Sequence, residues 1–79
     1  MAEHDAFTKK QLKNFGNRLK QLRKERGYSN YEVFAYEHGI NRVSYGSYEA
    51  GKANPTLASI VKITKALDIG LDEFFSEGF

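Results

Sequence analysis

Cysteine is absent from the 79-residue sequence, and proline occurs only once. Without cysteine the chain forms no disulfide, offers no thiolate nucleophile and builds no zinc finger or zinc ribbon. No apolar run approaches the roughly 20 residues that span a bilayer, and the N-terminus lacks the basic start and apolar stretch of a signal peptide. We therefore expect a cytoplasmic domain that depends on apolar packing or on a partner chain for its stability.

Charge is distributed unevenly along the chain, although the formal net charge is only +2. Eight of the 12 basic residues lie between Lys9 and Arg26, whereas residues 66–79 contain four acidic residues and no basic one. A chain polarised in this way can turn one face towards a polyanion and keep its other end away from it. The alternative is that the basic segment is only a solvated helix face.

Few residues are arranged for catalysis. His4 and His38 lie in different segments, no serine has a base partner at a readable spacing, and the glycines form no phosphate-binding pattern. Asp68, Asp72 and Glu73 form a small acidic cluster, which we interpret as helix-start carboxylates and not as a metal site. The sequence thus predicts a protein that is not an enzyme and that needs neither a metal nor a cofactor.

Apolar residues at helical spacing predict a long first helix. One stripe along it is formed by Leu12, Phe15, Leu19 and Leu22. We expect Thr8 to cap this helix, Gln11 to complete a capping box and Phe7 to pack onto Leu12. Gly27 is expected to end the helix in a left-handed conformation. Residues 1–7 are then an N-terminal tail and residues 8–79 a single domain.

Two shorter helices follow. The first of them begins after Ser29 or Asn30 and stops at Gly39; the second is capped by Asn41 and runs to Gly51. Because the turn between them is short, these helices cannot pack as an antiparallel hairpin and must cross steeply.

The steep crossing needs a small residue where the two backbones meet, and Ala35 fits this position. Gly39 supplies the positive φ of the turn. Ile40, Tyr45 and Tyr48 are then expected to close a small core between the two helices.

The end of the chain predicts two more helices. Thr56 caps the fourth, after a turn at Pro55, and residues 71–75 form a short fifth helix. The apolar stripe expected to bury the fourth helix consists of Leu57, Ile60, Val61, Ile63 and Leu67. The complete chain is therefore predicted to be an all-α, five-helix domain.

Several short motifs occur in one order along residues 15–75. They are residues 18–23 on the first helix, Ala35 and Gly39 in the short turn region, residues 49–52, residues 54–57 and residues 66–75. In this order and spacing they resemble the XRE-type helix-turn-helix family, to which many phage repressors and small bacterial regulators belong. The resemblance implies a compact repressor-like domain with a helix-turn-helix at helices 2 and 3.

The resemblance also implies a function: sequence-specific binding of double-stranded DNA by a transcriptional regulator. The third helix, about Arg42–Glu49, would lie in the major groove, where the four base pairs can be distinguished. Arg42 would bond guanine or only a phosphate, and Val43 would pack on a thymine methyl group or remain an ordinary surface residue. Ser47 would hydrogen-bond a base or a phosphate.

Other residues would hold the DNA backbone. The resemblance and the positions around the third helix assign this role to Tyr31, Asn41, Ser44, Lys52 and Asn54. Tyr31 stands where the family usually has glutamine. Gly46, inside the third helix, either lets the backbone approach DNA or makes a tight contact with another helix.

Two further pairs complete the prediction. The family pairs the arginine matching Arg23 with the glutamate matching Glu49, and we expect this ion pair to fix the third helix against the first. Phe75 and Phe79 are expected to form the interface of a homodimer. The alternative function is an antitoxin-like module that binds a protein partner through the same fold, which would require large exposed apolar residues on the third helix.

Overall fold

Five α-helices and no strand make up the part of the chain that the computed structural model describes, residues 5–76 and 79. The helices are α1 (Ala6–Glu25), α2 (Tyr31–Glu37), α3 (Arg42–Glu49), α4 (Leu57–Ala66) and α5 (Leu71–Ser76). The prediction of an all-α, five-helix domain is confirmed. His4 and Glu77, together with most of the expected tail, lie outside the described residues.

Local side-chain caps start α2, α3 and α4 where the sequence predicted them. Asn30 begins α2 by accepting the N–H groups of the two residues that follow Tyr31. Asn41 and Thr56 begin α3 and α4 by accepting the N–H group three residues further on. An N-cap satisfies an otherwise unpaired backbone donor within the same short segment, so these helix starts can be predicted from the sequence. Of the two candidate caps for α2, Ser29 and Asn30, the structure uses Asn30.

The predicted start of α1 is wrong. Asp5 is the N-cap, and its Oδ1 accepts the Thr8 N–H at 2.8 Å, so Thr8 lies inside the first turn. Ala6 and Phe7 belong to the helix and not to a tail. The Phe7 ring is 71% exposed, which also contradicts its predicted packing onto Leu12. Aspartate and threonine are both good N-caps, and the upstream one is used.

Helices α1 to α4 end in the same way. The residue after each C-cap has a positive φ, and its N–H and the next N–H donate back to carbonyls of the last turn, as in a Schellman motif. These residues are Gly27, Gly39, Gly51 and Asp68. Asp68 is the exception among them, because it carries a side chain at φ 58°, a region that is costly for residues other than glycine.

All five helices contribute side chains to one core, whose largest fully buried members are Tyr45, Phe34, Phe74, Leu19, Ile63 and Leu67. Ala35 is fully buried as predicted. The apolar stripe predicted for α4 is only partly correct, because Leu57 and Val61 are 65% and 45% exposed. Periodicity places apolar residues on a helix but does not show how much of that face a neighbour covers.

Gly16 sets the distance between α1 and α3. A Cβ at this position would collide with the backbone carbonyl oxygens of Tyr48 and Glu49, at the C-terminal end of α3. The absence of a side chain therefore lets α1 lie directly against the last turn of α3. This close approach fixes which residues of α1 lie beside α3, and sequence patterning alone did not reveal it.

Candidate nucleic-acid interface

The two sides of α3 differ in character. Tyr45 is fully buried and Glu49 is 8% exposed on the inner side, where Tyr48 is half-buried. On the outer side Arg42 and Ser44 are exposed, and Val43 is 74% exposed. Ser47 follows Val43 by one turn and is half-buried. The residues predicted to read bases therefore lie on the solvent side of α3, which presents one cation and otherwise small side chains.

The N-terminal end of α3 contains two of the residues predicted to contact the DNA backbone. The Asn41 Oδ1 accepts the Ser44 N–H at 2.9 Å, so this oxygen is committed to the cap while the side chain as a whole remains exposed. Both residues line a small cleft together with Lys62 of α4. The Lys62 Nζ donates to the Gly39 carbonyl at 2.7 Å and so ties α4 to the turn of the helix-turn-helix.

Tyr31 packs on Gly46. A Cβ built on Gly46 would lie 2.8 Å from Cε1 of Tyr31 and 3.0 Å from its hydroxyl oxygen. Of the two roles considered for Gly46, the structure shows the contact with another helix. The Tyr31 ring is 37% exposed, and its hydroxyl lies at the surface of α3. Sequence spacing could not show this contact, because it depends on how α2 crosses α3.

The connection from α3 to α4 contains the remaining residues predicted to contact the backbone, Lys52 and Asn54, and both are exposed. Its first residue, Gly51, has φ 73° and lies against α1: a Cβ there would be 2.9 Å from the Lys13 Cα. The turn before Lys52 is therefore fixed by hydrogen bonds to the last turn of α3 and by contact with α1.

A buried ion pair holds α3 from behind. The Nε and Nη2 atoms of Arg23 donate to the two carboxylate oxygens of Glu49 at 2.7 and 3.0 Å. The third donor, Nη1, bonds the Tyr28 carbonyl at 2.7 Å. Hydrogen bonding to Glu49 raises the pKa of Arg23. Because a forked, two-bond contact fixes orientation as well as distance, this pair sets the rotation of α3 relative to α1.

The Tyr45 hydroxyl is buried next to this pair. Burial raises the pKa of this phenol. Within the described residues the hydroxyl makes no hydrogen bond of good geometry. Tyr45 therefore contributes mainly through its ring, which packs 5.3 Å from the Phe34 ring centroid.

Two more arginines, Arg18 of α1 and Arg26 at the C-cap of α1, are also used inside the domain. Arg18 donates to the carbonyls of Phe74 and Glu73 at 3.2 and 3.3 Å, and Arg26 donates to the Leu67 carbonyl at 2.7 Å. These arginines tie α1 to the ends of α4 and α5. Within the basic segment, residues 9–26, the arginines therefore make hydrogen bonds inside the domain, whereas the lysines are exposed to solvent.

The C-terminal aromatic residues are packed more tightly than predicted. Phe74 is fully buried, and Phe79 is partly buried against the core. Phe75 is 41% exposed, and its ring stacks on Phe15 with the centroids 6.2 Å apart. Of the two rings expected to form the homodimer interface, only Phe75 therefore presents a large exposed area.

Residues 5–76 and 79 contain neither a bilayer-spanning helix nor a cluster of metal ligands. None of the helices combines the length and hydrophobicity that a bilayer-spanning segment requires. Across the same residues, no three histidine or acidic side chains gather into a group that could hold a metal ion.

Comparison with known proteins assigns the family. The model of a family described as helix-turn-helix matches residues 19–74, from the middle of α1 into α5. The chain belongs to this family. It is therefore a helix-turn-helix protein of the XRE type, a DNA-binding transcriptional regulator, as the sequence resemblance indicated.

Among relatives of this regulator is the control protein C.MunI of a Mycoplasma species, 44% identical over 63 residues that cover 80% of this chain and 85% of C.MunI. The SPbeta prophage-derived HTH-type regulator YonR of Bacillus subtilis is 41% identical over 58 residues, which cover 73% of this chain and 53% of YonR. The crystal structure of the restriction-modification controller protein C.AhdI from Aeromonas hydrophila superimposes with a TM-score of 0.76 at 38% identity, covering 84% of this chain and 98% of that one.

Proposed function

We propose that this regulator binds double-stranded DNA in a sequence-specific manner, with α3 in the major groove, and that it carries out no catalysis. The observation that supports this most directly is the outer side of α3: Arg42 stands among small side chains on a helix that a buried ion pair holds in one orientation. A groove-reading helix needs both properties, because base edges are recognised only in defined directions.

In this function the side chains have separate tasks. Arg42 bonds the O6 and N7 atoms of a guanine, Val43 packs on a thymine methyl group, and Ser47 hydrogen-bonds a base or a phosphate. The groups that position the protein on the sugar–phosphate backbone are Tyr31, Asn41, Ser44, Lys52 and Asn54. Such contacts strengthen binding to every sequence and carry no base information.

The relatives favour a particular kind of regulator. C.MunI, a control protein, is 44% identical over 80% of this chain, and C.AhdI, a restriction-modification controller, superimposes over 84% of this chain with a TM-score of 0.76. We therefore propose that this protein is a controller of the type that C.AhdI represents, acting in a bacterial cytoplasm on genes of a restriction-modification system. Its binding sites are then expected upstream of the genes that lie beside its own.

A selection from a random duplex pool, followed by gel shifts at several salt concentrations, tests this function. We expect one enriched sequence with two related half-sites and an affinity that falls steeply as salt increases. Failure to bind any duplex at low salt would contradict the proposal and favour the protein-binding alternative.

Binding to two half-sites implies a homodimer, which we propose to form through the C-terminal aromatic residues Phe75 and Phe79. Burying an aromatic ring fully is worth about 1.5–3 kcal/mol. Because Phe79 also packs on the core of its own chain, Phe75→Glu is the cleaner test. We expect Phe75→Glu to sediment as a monomer at concentrations at which the wild type is a dimer.

Leu57→Glu is the matched control, because Leu57 is a second exposed apolar residue, on the outer side of α4. If the Leu57→Glu variant is a monomer while the Phe75→Glu variant remains a dimer, α4 forms the interface instead.

A further inference from the structure

A second cationic surface lies beside α3, in a cleft between the C-terminal half of α1 and the beginning of α2. Lys20 and Lys24 form one wall of this cleft, and Ser29 and Tyr31 form the other. The sequence left open whether this basic segment faces a polyanion or only solvent. The structure places these two next to the helix that faces DNA.

The floor of the cleft carries no net charge. It is formed by Arg23 and Glu49, which neutralise each other through two hydrogen bonds, and by the α3 backbone at Gly46 and Ala50. A carboxylate at this place would repel an anion if it were unpaired, but both of its oxygens accept bonds from Arg23. The uncompensated charge of the cleft therefore comes from the two lysines.

Both lysines are available for an external partner. Lys20 and Lys24 are exposed, and within residues 5–76 and 79 neither forms a salt bridge or a hydrogen bond. Ser29 is also exposed, and the Tyr31 hydroxyl lies at the surface above Gly46. The two ammonium groups and two hydroxyl groups can all donate hydrogen bonds. Such a set of donors suits a phosphate.

The cleft borders the outer side of α3. Gly46 lies one turn after Val43, and Ala50 lies one turn after Ser47, so the floor of the cleft continues the surface predicted to face base pairs. The small residues leave the cleft open towards that side. Its position is fixed by Gly16, which holds α1 directly against the carbonyls of the last α3 turn.

We propose that Lys20 and Lys24 each bind a backbone phosphate of the same DNA duplex, beyond the base pairs that α3 reads. This inference rests on the proposed function and extends its contact surface from α3 to α1. The cleft holds the strand that passes α1 and α2 beside the C-terminal half of α3, while Asn41 and Ser44 hold DNA at the N-terminal end of α3. The two contacts together set the angle at which α3 enters the groove.

The test compares Lys20→Gln and Lys24→Gln with the wild type on the duplex that the wild type selects from a random pool. Each phosphate contact adds about 0.9 to the slope of log affinity against log salt, which is roughly a threefold to fourfold loss of affinity between about 50 and 200 mM. For each half-site bound, the ratio of variant to wild-type Kd should therefore be roughly three to four times larger at the lower salt concentration.

Lys65→Gln is the matched control, since it removes one exposed lysine from the last turn of α4, where it lines a separate cleft with His38. Its Kd ratio should be equal at both salt concentrations. Phosphate-ethylation interference gives a second readout: the wild type should be sensitive at a phosphate outside the selected base pairs, and the Lys20 and Lys24 variants should lose this sensitivity. Base preference should stay unchanged in all three variants.

Each other outcome is informative. If the wild type binds its selected duplex but both lysine variants keep its salt dependence, this inference is wrong and the proposed function stands. Equal changes in Lys65→Gln would also overturn it, because net charge alone would then explain the effect. If the wild type binds no duplex at low salt, the inference and the proposed function both fail.

Discussion

Helices α3 and α4 have the same kind of beginning but are held in different ways. A side-chain oxygen caps each of them, from Asn41 and from Thr56. The inner side of α3 is held by a forked ion pair, whereas α4 buries aliphatic side chains such as Ile63. Apolar packing is not directional, so it places a helix without strongly fixing its rotation. The forked pair does fix rotation, which is what a helix that reads base edges requires.

Their outer sides differ as well. The exposed side of α3 carries Arg42 and one apolar residue, Val43, beside small polar ones, and the exposed side of α4 carries two apolar residues one turn apart, Leu57 and Val61. A surface with a cation and a single apolar side chain suits a nucleic-acid groove, and adjacent exposed apolar residues suit another protein surface. Within one small domain, the method of anchoring a helix thus corresponds to what its free side is suited to bind.

Breaking the ion pair should have the largest effect. Glu49→Ala leaves the buried Arg23 charge without its partner, and we expect this to lower the free energy of unfolding by about 3–5 kcal/mol. Because small domains are stable by only about 5–15 kcal/mol, the variant should unfold far below the wild-type temperature, as measured by circular dichroism.

Tyr45→Phe is the control at the same place. It removes a buried hydroxyl that has no hydrogen bond within the described residues, so its effect should stay within about 1 kcal/mol. A Glu49→Ala variant as stable as Tyr45→Phe would show that the ion pair does not anchor α3.

The second prediction separates base reading from positioning on the outer side of α3. Arg42→Ala should lose about 1–3 kcal/mol of discrimination at one base position. Lys52→Ala should weaken binding to all sequences alike and reduce the salt dependence. Binding measured on the selected duplex and on its single-base variants distinguishes the two effects. Uniform loss with both substitutions would mean that Arg42 contacts only phosphate.

The smallest expected effect concerns the ends of the two helices. Gly51 ends α3 and Asp68 ends α4 with the same backbone bonds and similar positive φ angles of 73° and 58°. Asp68→Gly removes the cost of a side chain in this region but adds freedom to the unfolded chain, so we expect a net gain of about 0.5–1 kcal/mol. For a domain of this size this corresponds to a melting temperature higher by about 2–8 °C.

Gly51→Ala is the opposite case, because its Cβ would also lie 2.9 Å from the Lys13 Cα. This variant should therefore be less stable than the wild type. A decrease in melting temperature on Asp68→Gly would show that the Asp68 side chain makes a contribution beyond its backbone conformation.

How much could be predicted depended on the range of the interactions. Helix caps and helix ends could be predicted because they act within a few residues of the chain, as at Asn41, Thr56, Gly27 and Gly39. The wrong start at Thr8 involved two good caps three residues apart, between which local rules do not choose. The pairing of Arg23 with Glu49, 26 positions apart, could be proposed only from the family resemblance.

Features that depend on the relative rotation of helices could not be predicted from the sequence. The packing of Tyr31 on Gly46 follows from how α2 crosses α3, and the position of Lys20 beside α3 follows from the close approach at Gly16. In the sequence, Gly16 is only one glycine inside a helical segment. The exposure of Leu57 was missed for the same reason, since an apolar stripe does not show which of its residues a neighbouring helix covers.

The three hydrogen bonds of Arg23 have a consequence for the dynamics of the domain. They join α1, the carbonyl of Tyr28 ahead of α2, and the end of α3, so none of these segments can open alone without breaking bonds to a buried charge. The amide hydrogen of Ala50, which bonds the Gly46 carbonyl, should then exchange with deuterium only at the rate of global unfolding. Helix α3 is in this sense a rigid part of a single cooperative unit, so the surface proposed to face DNA should not be remodelled by local opening.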